Sequence, residues 1–165
     1  MNGLPHELGS TGIGVVQSTL CALKVLNLNI KEIRFVVEGL GNVGLYSAKY
    51  LSEAGAKFVG ASDSKGFLYD KNGLDFRLLE KIKNSNGSVL DYKGGKISAN
   101  KEILKSDADL LVTAAMPDLV KESDVKDIKF KVIIEGSNIP MAFNVEKMLA
   151  KKGVIIIPDF VANAG

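Results

Sequence analysis

The string Gly39-Leu40-Gly41-Asn42-Val43-Gly44 has the G-x-G-x-x-G spacing with which a backbone turn receives a pyrophosphate. It closely follows the apolar run IRFVV at residues 33–37 and opens an amphipathic stretch at Asn42. In that setting Gly39 permits a tight turn, Gly41 lets the backbone approach the phosphates, and Gly44 lets a helix pack close to the strand. The helix N-terminus adds free N–H groups and a partial positive charge. A dinucleotide fingerprint also needs an acid about twenty residues on, at the end of the next strand. Asp63 follows KFVGAS, nineteen residues after Gly44. A carboxylate there accepts hydrogen bonds from both adenosine ribose hydroxyls and repels a 2′-phosphate, which favours NAD over NADP. Ser64 and Lys65 come next and would serve that phosphate if Asp63 turned away, so NADP stays open. The bland alternative is a plain strand-to-helix turn; strand, helix and acid together outweigh it by roughly ten to one.

These residues need a scaffold, and the chain supplies an alternating one. Nearly continuous apolar runs at residues 33–37, 57–61, 110–112, 132–134 and 154–157 suit strands covered on both faces. Helical patterns lie at residues 11–27, 42–54, 74–83, 100–105, 122–127 and 144–152. The first is expected to be largely buried. Asn144 is expected to cap the last, and Gly153 to end it. Repeated strand–helix–strand units predict an α/β fold: a Rossmann-type, doubly wound, mostly parallel sheet with helices on both faces. Residues 66–98 are less regular and are expected to hold a short hairpin and one helix. In such a sheet, ligands bind outside the carboxyl ends of the strands. The segments Thr113-Ala114-Ala115-Met116-Pro117, Glu135-Gly136-Ser137-Asn138 and Pro158-Asp159 to Ala162-Asn163-Ala164-Gly165 all fall on that edge. Ala114 and Ala115 leave room for a flat nicotinamide ribose, and Asn138 and Asn163 can donate and accept toward a carboxamide. Without the glycine fingerprint, ordinary turns would be the better reading of all three.

Composition narrows the classes. The 165 residues make about one domain, 46% hydrophobic and 24% charged, which is ordinary for a soluble globular protein and argues against disorder. A net charge of +2 is too balanced for an electrostatic nucleic-acid binder. Apolar runs fall well short of the roughly 18–20 residues that span a bilayer, so no membrane partner is expected. The start of the chain lacks a signal-peptide pattern, and a single cysteine excludes a disulfide framework, so a reducing, cytoplasmic setting is expected. Cys21 is expected to be a small packed thiol rather than a nucleophile, and the lone His6 a surface group rather than a ligand. The Asp70-Lys71-Asn72-Gly73 stretch reads as a turn, since its spacing fails the calcium-loop pattern. Lys71, Lys81, Lys83, Lys93 and Lys96 read as solvated surface.

The same segments carry a family likeness. The chain resembles the coenzyme-binding domain of the glutamate/leucine/phenylalanine/valine dehydrogenases. The likeness runs through Ser10-Thr11-Gly12-Ile13-Gly14-Val15, Glu38 to Gly44, Ser62-Asp63-Ser64-Lys65-Gly66, Gly73-Leu74-Asp75, Thr113-Ala114-Ala115, Glu135-Gly136-Ser137-Asn138-Ile139-Pro140 and the closing Pro158 to Gly165. The Glu-Gly-Ser-Asn-x-Pro segment resembles the glutamate branch more than the leucine or phenylalanine branches. The resemblance implies oxidation of L-glutamate with NAD(P)⁺ and water to 2-oxoglutarate, ammonia and NAD(P)H. It also implies Thr11 near the nicotinamide carboxamide, and Gly39, Gly41, Asn42, Val43 and Gly44 at the pyrophosphate. It implies Asp63 at the adenosine ribose, Ala114, Ala115 and Asn138 on the nicotinamide side, and Asn163 where cofactor and substrate meet. The likeness departs at Met141-Ala142, where a threonine pair is usual, and at Ile13, where arginine is common.

The family's catalytic lysine and aspartate lie in an N-terminal substrate domain, with the lysine in a glycine-rich motif that has no counterpart here. The resemblance therefore implies the cofactor half of a two-domain enzyme, with no metal site and no catalytic residue on this chain. The chain is expected to bind a dinucleotide, to turn over little, and to be monomeric or weakly dimeric. The full-length enzyme is expected to be a homo-hexamer. A leucine-, valine- or phenylalanine-type dehydrogenase and a stand-alone dinucleotide-binding module are the alternatives.

Overall fold

The computed structural model describes residues 9–162. Seven strands form one sheet: β1 (Arg34–Glu38), β2 (Lys57–Asp63), β3 (Gly66–Tyr69), β4 (Lys96–Ser98), β5 (Leu110–Thr113), β6 (Val132–Glu135) and β7 (Ile155–Ile157). Their spatial order is β4-β3-β2-β1-β5-β6-β7. The pairs β2–β1, β1–β5, β5–β6 and β6–β7 are parallel, and β3 runs antiparallel to both of its neighbours. The chain thus builds outward from β1 on one side, then returns to lay β5 against β1 on the other. That reversal puts the topological switch point between the carboxyl ends of β1 and β5.

Two buried clusters sandwich the sheet, and strand alternation divides them. Phe35, Val37, Leu110, Val112, Val132 and Ile134 face α1 (Ser10–Val25), α2 (Asn42–Glu53) and α3 (Phe76–Asn84). Phe35 stacks on Phe58 of β2 at 4.9 Å between ring centres. Val36, Leu111 and Ile133 face the other way, against Ile103, Val120, Ile128, Met141 and two residues of α4 (Phe143–Lys151), Val145 and Leu149. A short α5 (Asp159–Ala162) closes the described chain. No helix among the described residues is long and apolar enough to cross a membrane.

The α/β expectation agrees with this architecture, but several local expectations do not. Residues 100–105 form a 3-10 helix, a tight turn that inserts Ile103 and Leu104 into the core. The 122–127 pattern yields only the 3-10 turn Glu122–Asp124. The carbonyls of Val125, Lys126 and Ile128 instead accept from Lys152 Nζ, at 2.8, 3.0 and 2.7 Å. Asn144 is not a cap: α4 starts at Phe143 after Ala142, and the Asn144 side chain donates to Glu122. The run at 154–157 is an edge strand, and Ile155 is exposed. Cys21 is exposed rather than packed, because the buried side of α1 runs through Val15, Thr19, Ala22 and Leu23. His6 and Asn163 lie outside the described residues.

Candidate functional site

Three polar residues end the three central strands in register. Glu38 of β1 pairs with Thr113 of β5, and Thr113 with Glu135 of β6. All three are buried. The loops that leave this row form the carboxyl edge of the sheet.

The first loop is the glycine turn. Gly39 takes φ +86°, and a Cβ there would lie 2.3 Å from the Ala115 methyl. A Cβ on Gly44 would lie 2.1 Å from the Gly39 carbonyl oxygen and 3.0 Å from Val37. These two glycines therefore serve the turn and the close seating of α2. Gly41 is different: a Cβ there would meet nothing within 4 Å among the described residues. It immediately precedes α2 and lines a cleft of about 370 Å³ with Glu38, Gly39, Ser62, Asp63, Ser64, Lys83 and Asn100. Packing within the protein does not require a glycine at 41, whereas a ligand lying against that backbone would.

Asp63 closes the cleft at the end of β2, but it is not a free acceptor. Its Oδ1 takes the Lys65 N–H at 2.9 Å and the Ser88 hydroxyl at 3.1 Å; its Oδ2 takes Lys83 Nζ and the Val89 N–H, both at 2.9 Å. Four donors fill the roughly four lone-pair sites of a carboxylate. Its side chain is 9% exposed and that of Lys83 is 19% exposed. Burial alone raises an acid, but the Lys65 and Val89 N–H groups and the Lys83 ammonium outweigh it and hold Asp63 below the usual carboxylate range. Lys83 is thus not the solvated surface group expected from its lysine-rich segment. A ribose at Asp63 would have to share or displace one of these donors.

A second cleft of about 380 Å³ is lined by Val43, Ala114, Ala115, Pro117, Gly136, Ser137 and Asn138. Ala115 lines both clefts, so the two meet over the ends of β1 and β5. One Glu38 oxygen, Oε2, receives the N–H groups of Ala114 and Ala115 at 3.2 and 3.1 Å, with Met116 at 3.5 Å. Burial raises the Glu38 pKa against those three donors. Ser137 Oγ donates to Thr113 Oγ1 at 2.9 Å. Glu135 Oε2 accepts the Asp159 N–H at 3.2 Å, while its Oε1 is buried with no partner among the described residues. Burial, then the charges of Glu146 and Asp159, push Glu135 up to about 7.

A family model described as Glutamate/Leucine/Phenylalanine/Valine dehydrogenase matches residues 3–165. The chain belongs to this family. The glutamate dehydrogenase of Aeropyrum pernix is 42% identical over the whole chain, which spans 40% of that relative. A NAD-specific glutamate dehydrogenase of Staphylococcus aureus is 38% identical over the whole chain, which covers 41% of it. A NADP-specific one of Saccharolobus shibatae is 36% identical over 99% of the chain and 40% of the relative. Among solved structures, glutamate dehydrogenase of Plasmodium falciparum superposes with a TM-score of 0.86 at 26% identity, over 94% of this chain and 36% of that one. The chain therefore spans about two fifths of the length of the curated relatives it matches.

Within this dehydrogenase-family fold the two clefts gather Gly39, Gly41, Asp63 and Ser64 on one side and Val43, Ala114, Ala115 and Asn138 on the other. Gly44 sits behind the turn, and Asn42 begins α2. Thr11 is buried in the first turn of α1 and lines neither cleft. Val15, one turn further along α1, would lie 3.0 Å from a Cβ on Gly136 of the second cleft. Sequence reasoning missed Lys83 and Asn100, which reach the cleft from the segment after β2. It also passed over Glu38 and Glu135 as site groups, although each is an acid at the carboxyl end of a buried strand.

Proposed function

We propose that this chain is the dinucleotide-binding part of an amino-acid dehydrogenase acting on L-glutamate. The observation that carries the reading is the open face of Gly41, in a turn whose other two glycines are accounted for by packing. A pyrophosphate fits that face, with the first N–H groups of α2 directed at it. The adenosine ribose falls in the cleft of Asp63, Ser64, Lys83 and Asn100, and the nicotinamide between Ala114, Ala115 and Asn138. Bound there, the nicotinamide ring supplies the hydride acceptor. The residues of this chain bind and orient; substrate capture and proton transfer are assigned to the rest of the full-length protein. Thr11 is proposed near the nicotinamide carboxamide, reached from the start of α1 rather than from a cleft wall, and Asn163 where cofactor and substrate meet. The chain alone is expected to bind dinucleotide with negligible turnover, and hexamer formation is assigned to segments outside it.

Lys83 supports use of both cofactors. Its ammonium can stay on Asp63 while NAD binds, or turn to a 2′-phosphate with the Ser64 hydroxyl, since a compact cation suits a phosphate. The test is titration of the chain with NADH and with NADPH, followed by nicotinamide fluorescence. Both are expected to bind, and Lys83→Met is expected to weaken NADPH about tenfold while changing NADH less than threefold. Absence of binding by either nucleotide would overturn the reading.

A further inference from the structure

Ile139 occupies a backbone conformation that a β-branched residue avoids, with φ +45°. Packing does not hold it there, because its side chain is 65% exposed. The backbone is held instead. The Ile139 N–H donates to Asp159 Oδ2 at 2.9 Å, and its carbonyl accepts from the Asp118 N–H at 3.0 Å. The next carbonyl, of Pro140, accepts from Val120 at 3.1 Å. The other Asp159 oxygen takes the Phe160 N–H at 2.7 Å, and the Asp159 N–H is tied to Glu135 at the end of β6. Backbone strain of this kind persists only where the surroundings over-determine it, and it gathers at ligand sites. The residue before the strained one is Asn138, which lines the second cleft.

Resting on the dinucleotide reading above, we infer that Asp159 is a positioning residue. Its carboxylate clamps the left-handed turn at Ile139, and the turn presents Asn138 to the nicotinamide half of the cofactor. Asp159 itself lines neither cleft. The clamp needs one acceptor oxygen rather than a charge, so an amide can replace the carboxylate.

Two ligands separate this role from a general loss of structure. NADH fills both clefts, while ADP ends at the pyrophosphate and fills the first. Asp159→Ala is expected to weaken NADH about tenfold and to leave ADP within twofold of the unaltered chain. Asp159→Asn, which keeps an oxygen for the Ile139 N–H, is expected to restore NADH affinity to within threefold. Equal weakening of both ligands, unchanged NADH affinity in the alanine variant, or no rescue by asparagine overturns the inference and leaves the dinucleotide site standing. Failure of the unaltered chain to bind either ligand overturns the dinucleotide reading, and this inference with it.

Discussion

Asp63 shows what a motif reveals and what it leaves out. Spacing located an acid at the end of β2, and the structure puts it in the first cleft. Spacing could not show that its oxygens are already taken, because three of the four donors come from Lys83, Ser88 and Val89, twenty or more residues away. Glu135 is the second such case. Its place at the end of an apolar run marks it as a site group, but nothing local marks its raised pKa, which comes from burial and from Glu146 of α4 and Asp159 of α5. Its raised value gives a pH dependence of defined sign. A carboxyl whose pKa rises on folding binds its proton more tightly folded than unfolded. Its ionisation therefore costs stability as pH climbs from the ordinary 4.5 through about 7. That displacement corresponds to about 3 kcal/mol, fully felt above the folded value and absent below the unfolded one. Glu135→Gln is expected to flatten this slope. Denaturant unfolding at pH 5 and pH 8 should show the native chain losing stability relative to the variant as pH rises. Parallel pH profiles for the two proteins would remove Glu135 from the account.

At the scale of elements, legibility followed length and environment. The central strands were readable because burial on both faces makes a run apolar throughout: β5 and β6 each needed only one further, polar residue, and β1 lies one residue later than the run. The 3-10 segments were not readable as such. Six residues can satisfy either turn geometry, and tertiary contacts such as Lys152 Nζ on the 125–128 carbonyls decide. The strands are also pinned at the edge opposite the site. Asp109 accepts the Arg34 N–H at 3.0 Å, Arg34 Nε at 3.1 Å and Lys131 Nζ at 3.1 Å, tying β1, β5 and β6 at their starts. Burial opposes its ionisation, but the Arg34 N–H and guanidinium and Lys131 outweigh it and hold Asp109 below the usual carboxylate range. A depressed acid stabilises above its unfolded pKa, and that stability is lost as pH falls through the folded one. Asp109→Ala is expected to cost about 2–3 kcal/mol at neutral pH, by stranding a part-buried N–H and a cation. Because it lies at the far edge, NADH affinity should be unchanged below the denaturation midpoint. Thermal unfolding paired with a cofactor titration checks both halves.

For the whole molecule, the sheet order explains why one edge holds everything ascribed to function. The reversal between β1 and β5 leaves a crevice at their carboxyl ends, and the glycine turn, the Glu38 clamp on residues 114–116 and the two clefts converge there. This convergence was readable in outline, since the alternation of strands and helices fixes which ends share an edge. The surface away from the crevice was less readable. Val25 and Cys21 of α1 stand exposed beside Ile155 and Val161, where a periodic pattern alone suggests a largely buried helix. Apolar periodicity records what a side chain can cover, not what covers it.

The central claim is that the open face at Gly41 is kept for a dinucleotide, and Gly41→Ala tests it most directly. An added methyl meets no atom of the described residues within 4 Å and stands at an extended backbone position, so the unfolding midpoint should stay where it is. NADH affinity, read by nicotinamide fluorescence, should fall at least about tenfold, since the methyl occupies the space the pyrophosphate needs. A stable variant that binds NADH as well as the native chain would contradict the account.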